Sequence, residues 1–226
     1  MGENFEKKNT VKGEGQMVYN VFFDGAPKAS PRILIMGNSI TKHEPLAEIG
    51  WYNNWGMAAS SQDKDYAHRL MTKIREKAPN ATFCIVQAAV WEVRYTDCDF
   101  DAFFADARDF CPDIIVCAIS ANIRDELFDH DAFIKNMGRL HDYLGMSEGV
   151  RLVQTTSFFN NERKTAAIRD YVAGRGGDLI YISDLPSDPS NLAIGEYEHE
   201  GIQHHPGDKG MEEMASRIFE VVKKYI

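Results

Sequence analysis

The chain has 226 residues, 44% hydrophobic and 26% charged, an ordinary globular mixture that excludes disordered, collagen-like and disulfide-scaffold chains. Its 25 Lys and Arg against 34 Asp and Glu leave a net charge of −9, which argues against nucleic acid or an anionic membrane as a partner. The polar start, residues 1–16, carries no apolar leader, and no apolar run approaches the roughly 20 residues of a membrane span, so a cytoplasmic protein is expected. Cys84, Cys98, Cys111 and Cys117 form no C-x-x-C pair and read as free thiols of a reducing compartment.

Taken in chain order, residues 1–31 read as an N-terminal extension, with an extra edge strand over 17–23 that turns at Asp24-Gly25. Residues 32–36 begin a series of short, almost continuous apolar runs of the kind found in strands covered on both faces. Tyr66, Ala67, Leu70, Met71 and Ile74 then form a helical stripe, with Ser60 and Asp63 spaced as a capping box and Pro79 as the stop. A second strand is predicted over 81–86, a helix over 100–109 and a third strand over 114–119. Phe133, Met137, Leu140 and Leu144 mark the next helix, closed by Gly145; a strand over 151–155 follows. Ile168, Tyr171 and Val172 mark a helix ending near Gly174, and 179–182 the fifth strand. The last helix holds Met211, Met214, Ala215, Ile218, Phe219 and Val222, with Glu212 and Glu213 early and Lys223 and Lys224 late, as the helix dipole prefers. This alternation predicts one α/β domain over residues 32–226, a three-layer α/β/α sandwich on a mostly parallel five-stranded sheet.

Ligands of such sheets bind beyond the carboxyl ends of the strands. Four polar segments fall there: Gly37-Asn38-Ser39-Ile40-Thr41, Gln87-Ala88-Ala89, Ser120-Ala121-Asn122 and His204-His205-Pro206-Gly207. A serine hydroxyl becomes a useful nucleophile once a base takes its proton, and histidine is the usual base near neutral pH. Acyl transfer also requires donors aimed at the developing oxyanion, and the Ser39 N–H and the Asn122 amide are candidates. Individually each residue reads as a turn or cap; their convergence favours chemistry. Trp51 and Trp55, with the amides of Asn53 and Asn54 between them, suit sugar recognition or the simple packing of a long loop, and Asn38 is a further substrate-binding candidate. His43 and Glu44 read as helix-start or pocket-wall residues, and the acidic run Asp97, Asp99, Asp101, Asp106 and Asp109 as a solvated face. Glu198, His199, Glu200, His204 and His205 cluster closely enough to raise a zinc site, but without helical H-x-x-x-H spacing, so no metal and no cofactor are expected. The dinucleotide, P-loop and G-x-S-x-G signatures are all missing.

These segments resemble the blocks of the SGNH/GDSL-type hydrolases. Residues 33–41 are similar to the first block, a strand running into G-D-S. Asn122 falls where the third block has G-x-N-D, and His205-Pro206 with Gly210 resembles the last block, D-x-x-H-P and a later glycine. The resemblance covers residues 32–224 and implies a flavodoxin-like sandwich and hydrolysis of a small acyl ester, an acetylated carbohydrate being one candidate, with Ser39 as nucleophile and His205 as base. It implies an oxyanion hole of Ser39, Asn122 and a second-block donor. Ala88 or Ala89 stands where that block has glycine, and the Ala89 N–H is assigned the role. Asn38 replaces the first-block aspartate, and Ser120 and Ile123 replace the third-block glycine and aspartate. Three residues before His205 stands Ile202, not aspartate, so the orienting group is either a nearby carboxylate, Glu200 or Glu198, or a backbone carbonyl. That departure raises the alternative of a weak or inactive member that binds a sugar-like ligand in the same pocket.

Overall fold

The computed structural model describes residues 10–13, 16–26, 29–145 and 149–226; the first nine residues, part of the polar start, lie outside them. Strands β1 (Thr10–Gly13) and β2 (Gln16–Tyr19) pair with each other as an antiparallel ribbon. The main sheet contains β3 (Val21–Asp24), β4 (Arg32–Gly37), β5 (Thr82–Gln87), β6 (Ile114–Ala118), β7 (Arg151–Thr155) and β8 (Asp178–Ile180). Its order is β3-β5-β4-β6-β7-β8. The sheet is therefore six-stranded rather than five-stranded. The extra strand is β3, antiparallel to β5 with Val21 opposite Val86, and it occupies 21–24 because residues 16–19 pair with β1 instead. Its turn uses Gly25 at φ +110°, where a side chain would press on Thr82.

The helices are α1 (Tyr66–Lys77), α2 (Ala89–Val93), α3 (Phe100–Asp109), α4 (His130–Tyr143), α5 (Glu162–Arg175), α6 (Glu200–Gln203) and α7 (Asp208–Val222). Successive strand residues point to opposite faces, so each continuous apolar run feeds two cores. Ile33, Ile35, Phe83, Ile85 and Val116 pack against Leu70 and Ile74 of α1 and Met214 and Ile218 of α7. Leu34, Met36, Val86, Ile115 and Cys117 pack against Trp91, Phe104, Phe133, Met137 and Ile168 on α2 to α5. The α1 start differs from the capping-box expectation: Asp65, wholly buried, is the N-cap, accepting from the His68 N–H at 2.8 Å and from Gly56 N–H at 3.0 Å. Helix α5 runs through Gly174 to Arg175 and ends at Gly176, φ +82°. The one-turn helices α2 and α6 are too short to show a period in the sequence.

Strand β4 is the switch point, since the chain passes from it to β5 on one side and later to β6 on the other. The crevice beyond its carboxyl end is where this architecture places a ligand.

Candidate active site

Strand β4 ends at Gly37, and the turn after it closes tightly. A Cβ on Gly37 would lie 1.8 Å from Thr41 Oγ1, so only glycine fits there. The Thr41 and Lys42 N–H groups both donate to Asn38 O, at 2.9 and 3.0 Å, and Met57 N–H donates to Ser39 O at 2.8 Å. Ser39 is thereby fixed at the sheet edge, half-buried, and its N–H has no hydrogen-bond partner among the described residues.

Helix α6 and the loop into α7 bring His205 to the same edge. The Ser39 Oγ lies 2.9 Å from His205 Nε2 across 166 residues of sequence. On the other side of the ring, His205 Nδ1 is 2.8 Å from Gly201 O. A carbonyl only accepts, so Nδ1 carries the proton, and the bare Nε2 accepts from the Ser39 hydroxyl. Burial pushes the imidazole below the usual histidine range, the Gly201 carbonyl draws it back up, and His43 and His204 push it further down. The ring is therefore neutral near pH 7. The edge of the Phe159 ring meets it at 5.5 Å between centroids. Gly210 lets α7 start close behind this loop, since a Cβ there would lie 2.2 Å from Asn191 O.

The third corner is built around Glu92 on α2, 1% exposed. Its Oε1 accepts from Asn38 Nδ2 at 3.1 Å and from the Ser120 N–H at 2.5 Å, and its Oε2 accepts from Asn122 Nδ2 at 2.5 Å. Burial holds the Glu92 carboxyl above the usual carboxylate range, against the pull of these donors. Ser120 sits at φ +142°, a conformation that favours glycine, which is the residue the third-block pattern expects there.

Several expected roles land elsewhere. Glu200 points into solvent with its side chain 90% exposed, and its Oε1 is 3.8 Å from His204 Nε2, not at His205. Neither Glu198 nor Glu200 is hydrogen-bonded to the base; Gly201 O holds that position. The Ala89 N–H donates to Gln87 Oε1 at 2.9 Å, so it is occupied in this structure, and Ala88 N–H continues the ladder to Gly37 O at 2.6 Å. Trp51 is wholly buried, in a cluster with Met57, Ala58, Ala193 and Ile202, and donates from Nε1 to His43 O at 3.2 Å. It holds the loop and presents no face to a ligand. Trp55 is half-buried, packs edge-on to Trp51 and donates to Ala59 O at 2.8 Å. Asn38 is 3% exposed and faces Glu92 rather than a substrate. Among the described residues no group of three or more His, Cys, Asp or Glu is close enough together to share a metal ion. No helix among them is long and apolar enough to cross a membrane.

A groove of about 360 Å³ opens beside this site, lined by Asn122, Arg124, Ser157, Phe159, Asn160 and Asn161. Its amides, guanidinium and single aromatic ring come from the loops after β6 and β7. Sequence reasoning missed Phe159 and Glu92; it offered a backbone carbonyl as the group orienting His205, without naming Gly201. Only Glu92 carries a signal: it is the lone charge in the run Ala88-Ala89-Val90-Trp91-Glu92-Val93.

No family model matches the sequence. No curated protein matches it either. Solved structures do resemble it in shape. An esterase, EstA, from Pseudoalteromonas sp., in a structure inhibited by monoethylphosphonate, superposes with a TM-score of 0.57 at 13% identity, over 87% of this chain and 98% of that one. A two-domain esterase active on acetylated mannans, co-crystallised with mannopentaose, gives a TM-score of 0.56 at 18% identity; 85% of this chain covers 49% of that one. A family two carbohydrate esterase from Cellvibrio japonicus gives a TM-score of 0.52 at 17% identity, over 87% of this chain and 61% of that one. The switch-point sheet and these superpositions agree: the chain has the flavodoxin-like α/β/α fold of the GDSL-type esterases and lipases.

Proposed function

We propose that the chain is a serine-dependent ester hydrolase that removes a small acyl group, such as acetyl, from a carbohydrate or related alcohol. The observation that carries this reading is the relay from Ser39 Oγ through His205 Nε2 and Nδ1 to Gly201 O, with links of 2.9 and 2.8 Å. Ser39 Oγ attacks the ester carbonyl as Nε2 takes its proton. The tetrahedral oxyanion is met by the Ser39 N–H and the Asn122 amide. The imidazolium returns its proton to the departing alcohol, which leaves an acyl-Ser39. Water then attacks through the same base and releases the acid. The Gly201 carbonyl takes over the orienting part of a triad acid's work: it fixes the tautomer and the ring orientation. No cofactor enters these steps.

The substrate class rests on the groove, whose amides, arginine and single aromatic suit a polar alcohol of sugar type, and on the acetylated-mannan activity of the two-domain esterase of the same fold. The test is hydrolysis of p-nitrophenyl acetate and of an acetylated-sugar panel by wild type, Ser39→Ala and His205→Ala, with fluorophosphonate labelling read by intact mass. One label per chain and turnover that both vanish in Ser39→Ala are expected. A folded wild type with neither label nor turnover refutes the reading and leaves the sugar-binding alternative.

A further inference from the structure

Glu92 carries no step of that mechanism, yet it is one of two buried acids among the described residues. The other, Asp65, is engaged in capping α1 and holding Gly56. Burying a carboxylate is costly unless its oxygens are satisfied, and those of Glu92 are satisfied by an unusual set of donors. One comes from the turn that carries Ser39, through Asn38; two come from the turn after β6, through Ser120 N–H and Asn122. A single side chain on α2, after β5, thus ties together the ends of β4, the switch-point strand, and of β6 beside it.

The chemistry of the acceptor fixes more than distance. Both oxygens accept in this network, Oε1 from the Ser120 N–H and the Asn38 amide and Oε2 from the Asn122 amide, so both amides turn nitrogen, not oxygen, toward it. For Asn122 the consequence is directional. One Nδ2 proton is committed to Glu92, and the other has no partner among the described residues. Asn122 is exposed, and an exposed amide left to itself would rotate and offer its oxygen as readily as its nitrogen. We propose that Glu92 is a positioning residue that acts through Asn122: it holds the Asn122 amide with its free N–H toward the developing oxyanion. The oxyanion part rests on the ester-hydrolase reading; the tether itself does not.

The experiment has a kinetic and a spectroscopic arm. Glu92→Gln keeps the volume but offers one acceptor oxygen where three donors converge, and its own NH₂ then faces a donor. In a hydrolase, kcat should fall on the order of 10²-fold, as when an oxyanion donor is lost, with KM within about twofold. The double variant Glu92→Gln/Asn122→Ala should lose no more than Asn122→Ala alone. The second arm is the side-chain amide signal of Asn122, assigned by its disappearance in Asn122→Ala. In wild type one of its protons should be deshielded and slow to exchange, and Glu92→Gln should abolish that signature. A wild-type Asn122 amide that exchanges like a free surface amide overturns the proposal even if Glu92→Gln fails to fold. So does a folded Glu92→Gln with unchanged kcat, or losses that multiply in the double variant. A wild type that shows the protected amide, loses it in Glu92→Gln and hydrolyses nothing supports the tether and refutes the hydrolase reading instead.

Discussion

Replacing Glu200 by alanine separates a triad from a dyad by orders of magnitude. In a serine–histidine–acid triad the acid is worth about 10⁴ in kcat, or roughly 5.4 kcal/mol at 1.36 kcal/mol per decade. Glu200 is the carboxylate closest in sequence to the histidine loop that sequence alone offers for the role. In the folded protein its side chain is 90% exposed and its oxygen is 3.8 Å from His204 Nε2. To orient His205 it would have to leave that neighbour and displace the 2.8 Å bond from Nδ1 to Gly201 O. An exposed carboxylate has little to gain from such a move, since water and salt screen it. Glu200→Ala should therefore change kcat/KM for p-nitrophenyl acetate by less than about twofold, against the 10⁴-fold a triad acid would command. His205→Ala, measured in parallel, should abolish all but residual turnover. A fall of tenfold or more in a Glu200→Ala protein of unchanged melting temperature would refute the dyad, because no other contact of Glu200 reaches the base.

Three further outcomes follow from the same geometry. The kcat/KM should be lost on acidification with a midpoint below pH 6.5, because His205 works as base only when neutral and burial depresses its ionisation; a midpoint above 6.5 in a pH–rate profile would contradict this. His141, wholly buried against Tyr171, has its pKa lowered to about 3 by desolvation. Its contribution is fully present above the unfolded value near 6.5 and is lost as pH falls toward 3, so wild type should lose about 2 kcal/mol more than His141→Phe between pH 6.5 and 5, read by urea unfolding. Ser120→Gly should stabilise the protein by about 1 kcal/mol, relieving the φ of +142° and removing a buried hydroxyl without a partner, which offsets the extra freedom glycine has when unfolded; a melting temperature raised by about 2 °C is expected, and a lowered one would refute the strain.

The layers were legible because burial on both faces leaves a sequence mark. The runs at 32–36 and 151–155 lie on strands, the run at 114–119 does so up to Ala118, and the stripe Met211, Met214, Ala215, Ile218 faces the core on α7. The meeting of Ser39 and His205 at one edge of the sheet was legible because a glycine turn after β4 and the loop before the last helix both fall there. The rest depends on contacts that no local pattern encodes. Whether the histidine is held by a side chain or by a main-chain oxygen is decided by where α6 turns, and every residue has a carbonyl. Trp51 reads equally as stacking platform or wedge until the cluster around it is seen. Glu92 meets Asn38, Ser120 and Asn122 across 54, 28 and 30 residues, a pairing of loops that only the strand order creates.

The histidine loop explains why the expected acid is not where the family pattern has it. The position three before His205 is Ile202, 1% exposed and packed with Trp51, Met57, Ala58 and Ala193. A carboxylate there would enter an apolar cluster, at a desolvation cost that an interaction with one imidazole would not offset. The same one-turn helix that points Ile202 inward carries the Gly201 carbonyl, four residues before His205, to the ring Nδ1. At Gly201 a Cβ would come within 3.0 Å of the His199 ring, so the glycine also leaves room for that turn. Packing and orientation are thus assigned to adjacent residues of α6: the side chain of Ile202 anchors the loop, and the main chain of Gly201 holds the base. A neutral carbonyl stabilises an imidazolium less than a carboxylate does, so in the proposed hydrolase the burden of stabilising charge in the transition state shifts toward the oxyanion side, where the proposed tether has Glu92 organise the donors.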